Sequence, residues 1–208
     1  QYLLYEAGVA VLGRTCFGKK NQEENQEYVR LSYATSRENI VEGVKRIKKA
    51  AVLGSGTMGS GIAAQLANAG IPSYLLDIVP QFSDADKAKG VKADSSAFRN
   101  RIAENNKALA IKSRQFMDKA DADLVTCGNM EDNLAWLSEV QWIVEAVPEN
   151  LGIKKDLFKK IAPFVKPGTI VSSNTSTISI TSMVEDMPLE FRQYCMGTHF
   201  FNPVRFMK

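Results

Sequence analysis

Apolar and polar positions along the chain follow two different patterns, which meet near Lys49. From Ala50 onward, short apolar runs alternate with longer segments in which apolar residues recur at helical spacing. The apolar runs predict strands at 50–54, 73–76, 140–147, 169–171 and 194–201. Between them the pattern predicts a helix that closes at Gly70, a helical stretch over about 84–120 and a helix over 154–165. Strands that alternate with helices predict an α/β fold, a doubly wound and mostly parallel sheet with helices on both faces.

The first 48 residues predict a small α+β segment. Their pattern indicates a short helix that ends at Gly8, strands near 9–12 and 28–34, and a helix that begins after Thr35. A segment of this size buries too little apolar surface to fold alone. We therefore expect residues 1–48 to pack on something else, and residues 49–208 to form the main domain.

Composition and charge narrow the class of protein. The 208 residues are 45% hydrophobic and 24% charged, which is typical of a globular protein with a proper core. The net charge is +3 and the basic residues are dispersed among acidic ones, so we expect no nucleic-acid partner. No apolar run is long enough to span a bilayer, and no basic-then-apolar leader opens the chain. The prediction is a cytoplasmic protein without a membrane partner.

The cysteines and the chain ends add two expectations. Cys16, Cys127 and Cys195 are far apart, odd in number and unaccompanied by histidine, which argues against a disulfide framework and a zinc site. We expect three reduced thiols and no metal. The chain begins at Gln1 and stops within an apolar run at Lys208, so both ends have the look of cut ends.

The turn after the first strand of the main domain matches a phosphate-binding motif. The sequence Gly-Ser-Gly-Thr-Met-Gly fits G-x-G-x-x-G, follows an apolar strand and opens a helix. Glycines there allow a tight turn and close approach of a pyrophosphate to backbone N–H groups at a helix N-terminus. Asp77 ends the next strand, where its carboxylate would accept hydrogen bonds from the adenine ribose and repel a 2′-phosphate. The pattern predicts a Rossmann-type domain that binds NAD rather than NADP. The predicted cofactor contacts here are Gly54, Gly56, Thr57, Met58, Gly59 and Asp77.

Polar residues follow three later strands of the predicted sheet. His199 ends the last strand, and its imidazole suits proton exchange near neutral pH, although a lone histidine beside two phenylalanines also fits a core position. The run that contains Asn174 and Ser176 follows an apolar strand, and could equally be an ordinary hydroxyl-rich loop. Glu145 and Glu149 end another strand, where they fit a ribose or nicotinamide contact; Glu145 could instead be a solvated charge.

Taken together, these residues resemble the NAD-binding domain of L-3-hydroxyacyl-CoA dehydrogenases, the β-oxidation enzymes. The matching pieces, in family order, are AAVLGSGTMGSGIA, LLD, IVEAVPENLGIKK, IVSSNTSTISI and GTHFFNPVRFMK. They cover about 160 residues, 49–208, and the last two are far more specific than the glycine motif. The charged stretch at 84–135 resembles an insert of the bacterial multifunctional type of enzyme.

The resemblance implies a reaction and a set of roles. The reaction is oxidation of an L-3-hydroxyacyl-CoA substrate to the 3-ketoacyl-CoA, with hydride passing to NAD. His199 would be the general base, Ser176 would hydrogen-bond the substrate oxygen, and Asn202 would help place nicotinamide and substrate. Glu149 and Lys154 would line the nicotinamide ribose side.

Two departures from the family pattern bear on activity. The family's catalytic histidine is oriented by a glutamate three residues past the position of Lys208, and the 208 residues stop short of it. The family's helical domain, which closes over acyl-CoA and usually dimerises, is not among them either. Because a general base works best when it is oriented, we expect the 208 residues to bind NAD and to catalyse poorly or not at all. A homodimer is a further expectation, and the acyl chain length cannot be inferred.

Residues 1–48 resemble an unrelated family, the C-terminal end of class I pyridoxal-phosphate aminotransferases. The resemblance rests on EAGVAVL and on EYVRLSYATSRENIVEGVKRI. It places Arg30 where that family holds a substrate carboxylate, but no Schiff-base lysine segment or large domain accompanies it, which favours a relic or a structural residue.

Three alternatives to the dehydrogenase interpretation stay open on sequence alone. One is a β-hydroxyacid dehydrogenase for a small free acid, although that group relies on a lysine and the motif HFFNP speaks against it. Another is an NAD-binding module without turnover, and the third is an aminotransferase fragment.

Overall fold

The computed structural model describes residues 11–13, 29–31 and 47–206. The chain divides into two compact units, Gln1–Ile47 and Lys48–Lys208. In the first, strand β1 (Val11–Gly13) pairs antiparallel with β2 (Val29–Leu31), and each overlaps a strand predicted from the sequence. The helices predicted before Gly8 and after Thr35 lie outside the described residues, as does the side chain of Arg30.

The second unit is built on one parallel sheet of six strands. The strands are β3 (Ala50–Leu53), β4 (Ser73–Asp77), β5 (Val125–Asn129), β6 (Trp142–Glu145), β7 (Ile170–Ser173) and β8 (Cys195–Gly197). Their order across the sheet is β5-β4-β3-β6-β7-β8, and every neighbouring pair is parallel. The first strand is central and the chain winds outward to one edge before it returns, which is the strand order of the Rossmann fold. The predicted doubly wound α/β fold is confirmed.

Helices cover both faces of this sheet. They are α1 (Thr57–Asn68), α2 (Asp84–Ala88), α3 (Ser96–Arg99), α4 (Arg101–Lys112), α5 (Leu151–Ile161), α6 (Ile180–Val184) and α7 (Leu189–Arg192). Alternate residues of a strand point to opposite faces. Accordingly Leu53 joins a core cluster with α5 and α6, while Val52 faces the start of α1. Within residues 47–206, no helix is long and apolar enough to cross a membrane.

The charged stretch differs from the single helical run that its composition predicts. Ser83 and Ser95 cap separate short helices, and Gly90 interrupts them in the left-handed region at φ +68°. After α4 the chain forms a 3₁₀ helix at Lys119–Leu124 and then strand β5, which the sequence did not reveal. This edge strand reads Val-Thr-Cys-Gly-Asn, with too few apolar residues to form a recognisable run.

Two boundaries also differ near the later strands. The predicted strand over 140–147 is limited to Trp142–Glu145, because a 3₁₀ helix occupies Leu134–Glu139 and the chain turns away after Glu145. Helix α5 begins at Leu151 rather than 154, since Asn150 caps it by accepting a hydrogen bond from the N–H of Ile153 at 3.1 Å. These shifts place residues 146–150 in a loop at the carboxyl edge of the sheet.

Candidate functional site

The carboxyl ends of β3 and β6 lie side by side at the point where the strand order reverses. Ligands of open α/β sheets bind in the crevice at such a point. Gly54 follows β3 with φ +93°, and a Cβ there would lie 2.7 Å from the backbone oxygen of Ala146. A Cβ on Gly59 would lie only 1.7 Å from the backbone oxygen of Gly54. These two glycines allow the turn to pack against the β6 loop and α1 to pack against the turn.

Gly56 has a different surrounding. A Cβ built on Gly56 would meet no atom within 4 Å, and the residue lines a cavity. It precedes α1, whose first turn has no side-chain cap and no acidic residue. The free N–H groups and the positive end of the helix therefore face open space, which suits a pyrophosphate.

The larger cavity at this edge measures about 690 Å³. Apolar side chains form much of its wall, and two of them, Ile78 and Ile153, are 62% and 47% exposed. Exposed apolar surface beside a helix N-terminus suits the planar base of a nucleotide. The residues that line this cavity include Gly54, Gly56, Thr57, Met58, Asp77 and Asn106.

Asp77 lies at the end of β4, half-buried in the wall of this cavity. One of its carboxylate oxygens accepts hydrogen bonds from the N–H of Ser55, at 2.6 Å, and from the Ser55 hydroxyl. The other oxygen accepts from the N–H of Ile78 at 2.7 Å. Asn106, on α4, donates to the Ser55 hydroxyl oxygen at 2.8 Å. Neither Ser55 nor Asn106 was singled out from the sequence, where no spacing connects them to Asp77.

A second cavity of about 300 Å³ adjoins the first, and both are lined by Met58, Ala146 and Val147. Side chains predicted from four separate motifs meet in it. Asn174 joins them, and its side-chain oxygen accepts the N–H of Phe200 at 2.8 Å, which ties the β7 loop to the β8 loop. The predicted residues in this cavity are Met58, Glu149, Ser176, His199 and Asn202.

His199 lies two residues beyond the end of β8 and is exposed. Its ring meets Phe201 edge to face, with centroids 4.7 Å apart. Among residues 47–206, no side chain or backbone group forms a hydrogen bond with the imidazole. The core-histidine alternative is therefore wrong, because the ring faces the cavity and solvent rather than the interior.

Glu149 bridges the β6 and β7 loops. One oxygen accepts hydrogen bonds from the Thr175 hydroxyl and from the N–H groups of Ser176 and Thr177, at 3.2 and 3.3 Å. The other oxygen lies 3.2 Å from the ammonium of Lys154. Burial alone would raise the pKa of Glu149, but the hydrogen bonds from Thr175 and Lys154 and the lysine charge outweigh it and lower that pKa to about 2. Glu149 is thus a carboxylate at any ordinary pH.

Glu145 and Lys154 form a fully buried ion pair beneath this loop. The Lys154 ammonium lies 2.8 and 2.9 Å from the two Glu145 oxygens, and the side chains are 1% and 0% exposed. Glu145 also accepts from the N–H of Val147 at 2.8 Å and from the Ser173 hydroxyl. Both sequence interpretations of Glu145, a solvated charge and a direct ribose or nicotinamide contact, are wrong, since the carboxylate is sealed beneath the cavity. Lys154 was predicted to line the nicotinamide ribose side; its ammonium is buried beneath the cavity, against Glu145 and Glu149.

The segment after His199 is held against α1 and the insert. Val204 is buried, and a Cβ on Gly61 of α1 would lie 3.0 Å from its methyl carbon. The Arg205 guanidinium donates to the backbone oxygens of Arg114 and Phe116. These contacts anchor the chain directly after the loop that carries His199 and Asn202.

Two sequence expectations concern metal ligands and thiols. In the described part of the chain, no group of three or more histidine, cysteine, aspartate or glutamate side chains is arranged so that it could hold a metal ion. Cys127 and Cys195 are free thiols, and burial raises the pKa of each to about 12. Cys16 lies outside the described residues.

The sequence of residues 49–208 matches the family model described as "3-hydroxyacyl-CoA dehydrogenase, NAD binding domain". The chain belongs to this family. Its second unit carries the family's NAD-binding domain, and NAD, expected from Asp77 and the glycine turn, is the cofactor.

Named relatives of this dehydrogenase domain come from bacteria and from human mitochondria. A probable 3-hydroxyacyl-CoA dehydrogenase of Bacillus subtilis is 47% identical over 167 residues, which are 79% of this chain and 21% of that protein. A putative fatty acid oxidation complex trifunctional enzyme of Rickettsia felis is 39% identical, over 78% of this chain and 21% of that protein. Human mitochondrial hydroxyacyl-coenzyme A dehydrogenase is 34% identical, over 78% and 49%. The chain spans between a fifth and a half of the length of these relatives.

Solved dehydrogenases share the fold. The (S)-3-hydroxybutyryl-CoA dehydrogenase of Ralstonia eutropha is 32% identical with a TM-score of 0.54, covering 77% of this chain and 52% of that one. A 3-hydroxybutyryl-CoA dehydrogenase of Escherichia coli is 28% identical with a TM-score of 0.55, covering 78% and 31%. The family match begins at residue 49. The aminotransferase resemblance of residues 1–48 is supported by none of these matches and stays a prediction.

Proposed function

We propose that residues 49–208 supply the NAD site and the proton-transfer group for oxidation of an L-3-hydroxyacyl-CoA to the 3-ketoacyl-CoA. One observation carries this proposal. Ser176 from the β7 loop, and His199 and Asn202 from the β8 loop, line one cavity of about 300 Å³, which adjoins the larger cavity beside the glycine turn. A substrate there would lie next to the reactive end of a dinucleotide whose pyrophosphate is at the start of α1.

The reaction separates a hydride from a proton at one carbon–oxygen unit. NAD, when bound, would supply the acceptor for the hydride that leaves C3 of the substrate. The His199 imidazole accepts the proton of the C3 hydroxyl, as the C–O bond becomes a carbonyl. The Ser176 hydroxyl donates a hydrogen bond to that oxygen and holds it beside the imidazole. Asn202, on the same loop as His199, would help to place both nicotinamide and substrate.

The larger cavity receives the adenosine half. Gly54 and Gly59 shape the turn, Gly56 leaves room for the pyrophosphate, and Thr57 and Met58 begin the helix that faces it. Asp77 accepts hydrogen bonds from the ribose. On the other side, Glu149 faces the nicotinamide ribose, and Lys154 acts through Glu149, because its ammonium is buried against that carboxylate.

Single-turnover oxidation of NADH tests the proposed reaction in its reverse direction, the reduction of a 3-ketoacyl-CoA. With the chain in excess, NADH should be consumed in stoichiometric amount by acetoacetyl-CoA and much more slowly by free acetoacetate, which distinguishes a thioester enzyme from a free-acid enzyme. His199→Gln should slow the reaction by about 10²- to 10⁴-fold. Equal rates for wild type and His199→Gln would contradict the assigned base.

A second candidate function is an NAD-binding module without turnover. It is favoured by the imidazole of His199, which finds no orienting hydrogen bond among the residues that the structure describes. NADH that binds tightly and is not consumed by acetoacetyl-CoA would support this candidate. Homodimerisation and a cytoplasmic location stay predictions, and sedimentation of the purified chain tests the first.

A further inference from the structure

One side chain of helix α4, Asn106, lies in the wall of the larger cavity near Asp77, the residue proposed to bind the ribose. Asn106 lines the larger cavity, and its amide donates to the Ser55 hydroxyl oxygen at 2.8 Å. Ser55 is fully buried in the glycine turn. Its hydroxyl and its N–H both donate to the same oxygen of Asp77. Three residues from separate elements therefore form one chain of hydrogen bonds that ends on the carboxylate.

The direction of these bonds fixes the carboxylate. A serine hydroxyl has one proton to donate and two lone pairs that accept. Because the Asn106 amide occupies a lone pair, the Ser55 proton is directed to Asp77. A carboxylate offers about four acceptor positions, and the bonds from Ser55 and from the N–H of Ile78 take three of them. These three bonds hold the Asp77 carboxylate in one orientation in the cavity wall. About one acceptor position stays open for a ligand.

We propose that Asn106 is a positioning residue that sets the preference of this site for a ribose with a free 2′-hydroxyl over a ribose with a 2′-phosphate. The proposal rests on the proposed NAD site in this cavity. A fixed carboxylate accepts a hydrogen bond from a hydroxyl and repels a phosphate dianion. A carboxylate that can turn away binds the 2′-hydroxyl more weakly and also repels the 2′-phosphate less. Both changes lower the preference for NAD over NADP.

Paired variants of α4 and the glycine turn test this role. Asn106→Ala removes the donor, and Asn105→Ala, at the exposed neighbouring position of the same helix, is the matched control. Ser55→Ala and the double variant complete a cycle. Calorimetry with NAD and with NADP gives the ratio of the two dissociation constants, and thermal unfolding reports the fold.

The expected result is a weaker affinity for NAD and a lower selectivity. Asn106→Ala should raise the dissociation constant of NAD about five-fold and reduce the NAD-to-NADP selectivity by at least that factor. Asn105→Ala should leave both unchanged. Because Asn106 acts through Ser55, adding Asn106→Ala to Ser55→Ala should cause no further loss.

Three outcomes would overturn the inference. Unchanged NAD-to-NADP selectivity in Asn106→Ala, with or without a lower melting temperature, would show that the Asn106 amide has at most a role in stability. Additive losses in the double variant would show that Asn106 does not act through Ser55. A wild-type chain that binds neither dinucleotide would overturn the proposed NAD site itself, which the first two outcomes leave intact.

Discussion

At the scale of single residues, the glycine turn separates fold from ligand binding. Gly59 and Gly56 belong to the same motif, yet a Cβ on the first would overlap backbone and a Cβ on the second would meet nothing within 4 Å. The sequence motif assigns both residues to the cofactor. The structure divides their roles, since Gly59 is needed for close packing and Gly56 for close approach of a ligand.

This difference predicts opposite effects of the same substitution. Gly59→Ala should lower the free energy of unfolding by about 3 kcal/mol or more, because backbone must shift. Gly56→Ala should change it by less than about 1 kcal/mol, while weakening NAD binding at least about ten-fold through a methyl group in the pyrophosphate space. Urea unfolding and NAD calorimetry measure the two effects. Similar losses of stability in both variants would contradict the assignment.

Glu149 makes a prediction about acid stability. Its pKa is held at about 2, below the ordinary 4.5, so its ionised form contributes stability fully above about pH 4.5. That contribution is lost as the pH falls toward 2. In Glu149→Gln the contribution is absent, so the melting temperature should be lower near neutral pH and should fall less steeply below pH 4.5. Thermal unfolding from pH 6 to pH 2 measures this, with the exposed Glu190→Gln on α7 as the control. Parallel curves for wild type and Glu149→Gln would count against the network at the β6 loop.

At the scale of elements, a buried ion pair joins α5 to β6. Lys154 projects from α5 onto Glu145, the last residue of β6, and Glu145 in turn holds the Ser173 hydroxyl at the end of β7. A buried charge that loses its partner is far more costly than an exposed one. The pair therefore fixes two strand ends and a helix beneath the loop that carries Glu149.

Removing the charge of the buried Lys154 should destabilise the protein far more than removing the charge of the neighbouring surface residue Lys155. Lys154→Met should lower the free energy of unfolding by about 3–5 kcal/mol at neutral pH, and adding Glu145→Gln should recover a large part of the loss. Lys155→Met, which breaks the surface pair with Glu185, should cost less than about 1 kcal/mol. Chemical denaturation measures all of these variants. A Lys154→Met variant as stable as Lys155→Met would show that the buried pair contributes little.

Some elements of the fold and site could be predicted from the sequence, and others could not. The glycine turn, Asp77 and the strands with dense apolar runs could be predicted, because each carries a local pattern. Strand β5 could not, since an edge strand needs few apolar residues. The burial of Lys154, and the contact between Asn106 and Ser55, depend on how distant segments pack, and no spacing along the chain encodes them.

At the scale of the whole molecule, the site belongs to one unit. Among the residues that the structure describes, those that line the two cavities lie between Gly54 and Asn202, within the unit Lys48–Lys208. We propose that residues 49–208 are the functional domain and that residues 1–48 form a separate segment.

Deletion of residues 1–47 tests this division. The shortened chain should bind NAD with a dissociation constant within about two-fold of the full chain, because the described residues that line the two cavities all lie outside the deleted segment. Calorimetry on both chains makes the comparison. Loss of binding in the shortened chain would show that the first segment is part of the working domain.

The most direct test of the central claim is an NAD titration by calorimetry on the full chain and on His199→Ala. We expect one binding site in both, with dissociation constants that agree within about two-fold, because His199 takes part in proton transfer rather than in holding the cofactor. Binding by the wild type and not by the variant would contradict the role given to His199. Absence of binding by either would contradict the NAD site at the carboxyl edge of the sheet.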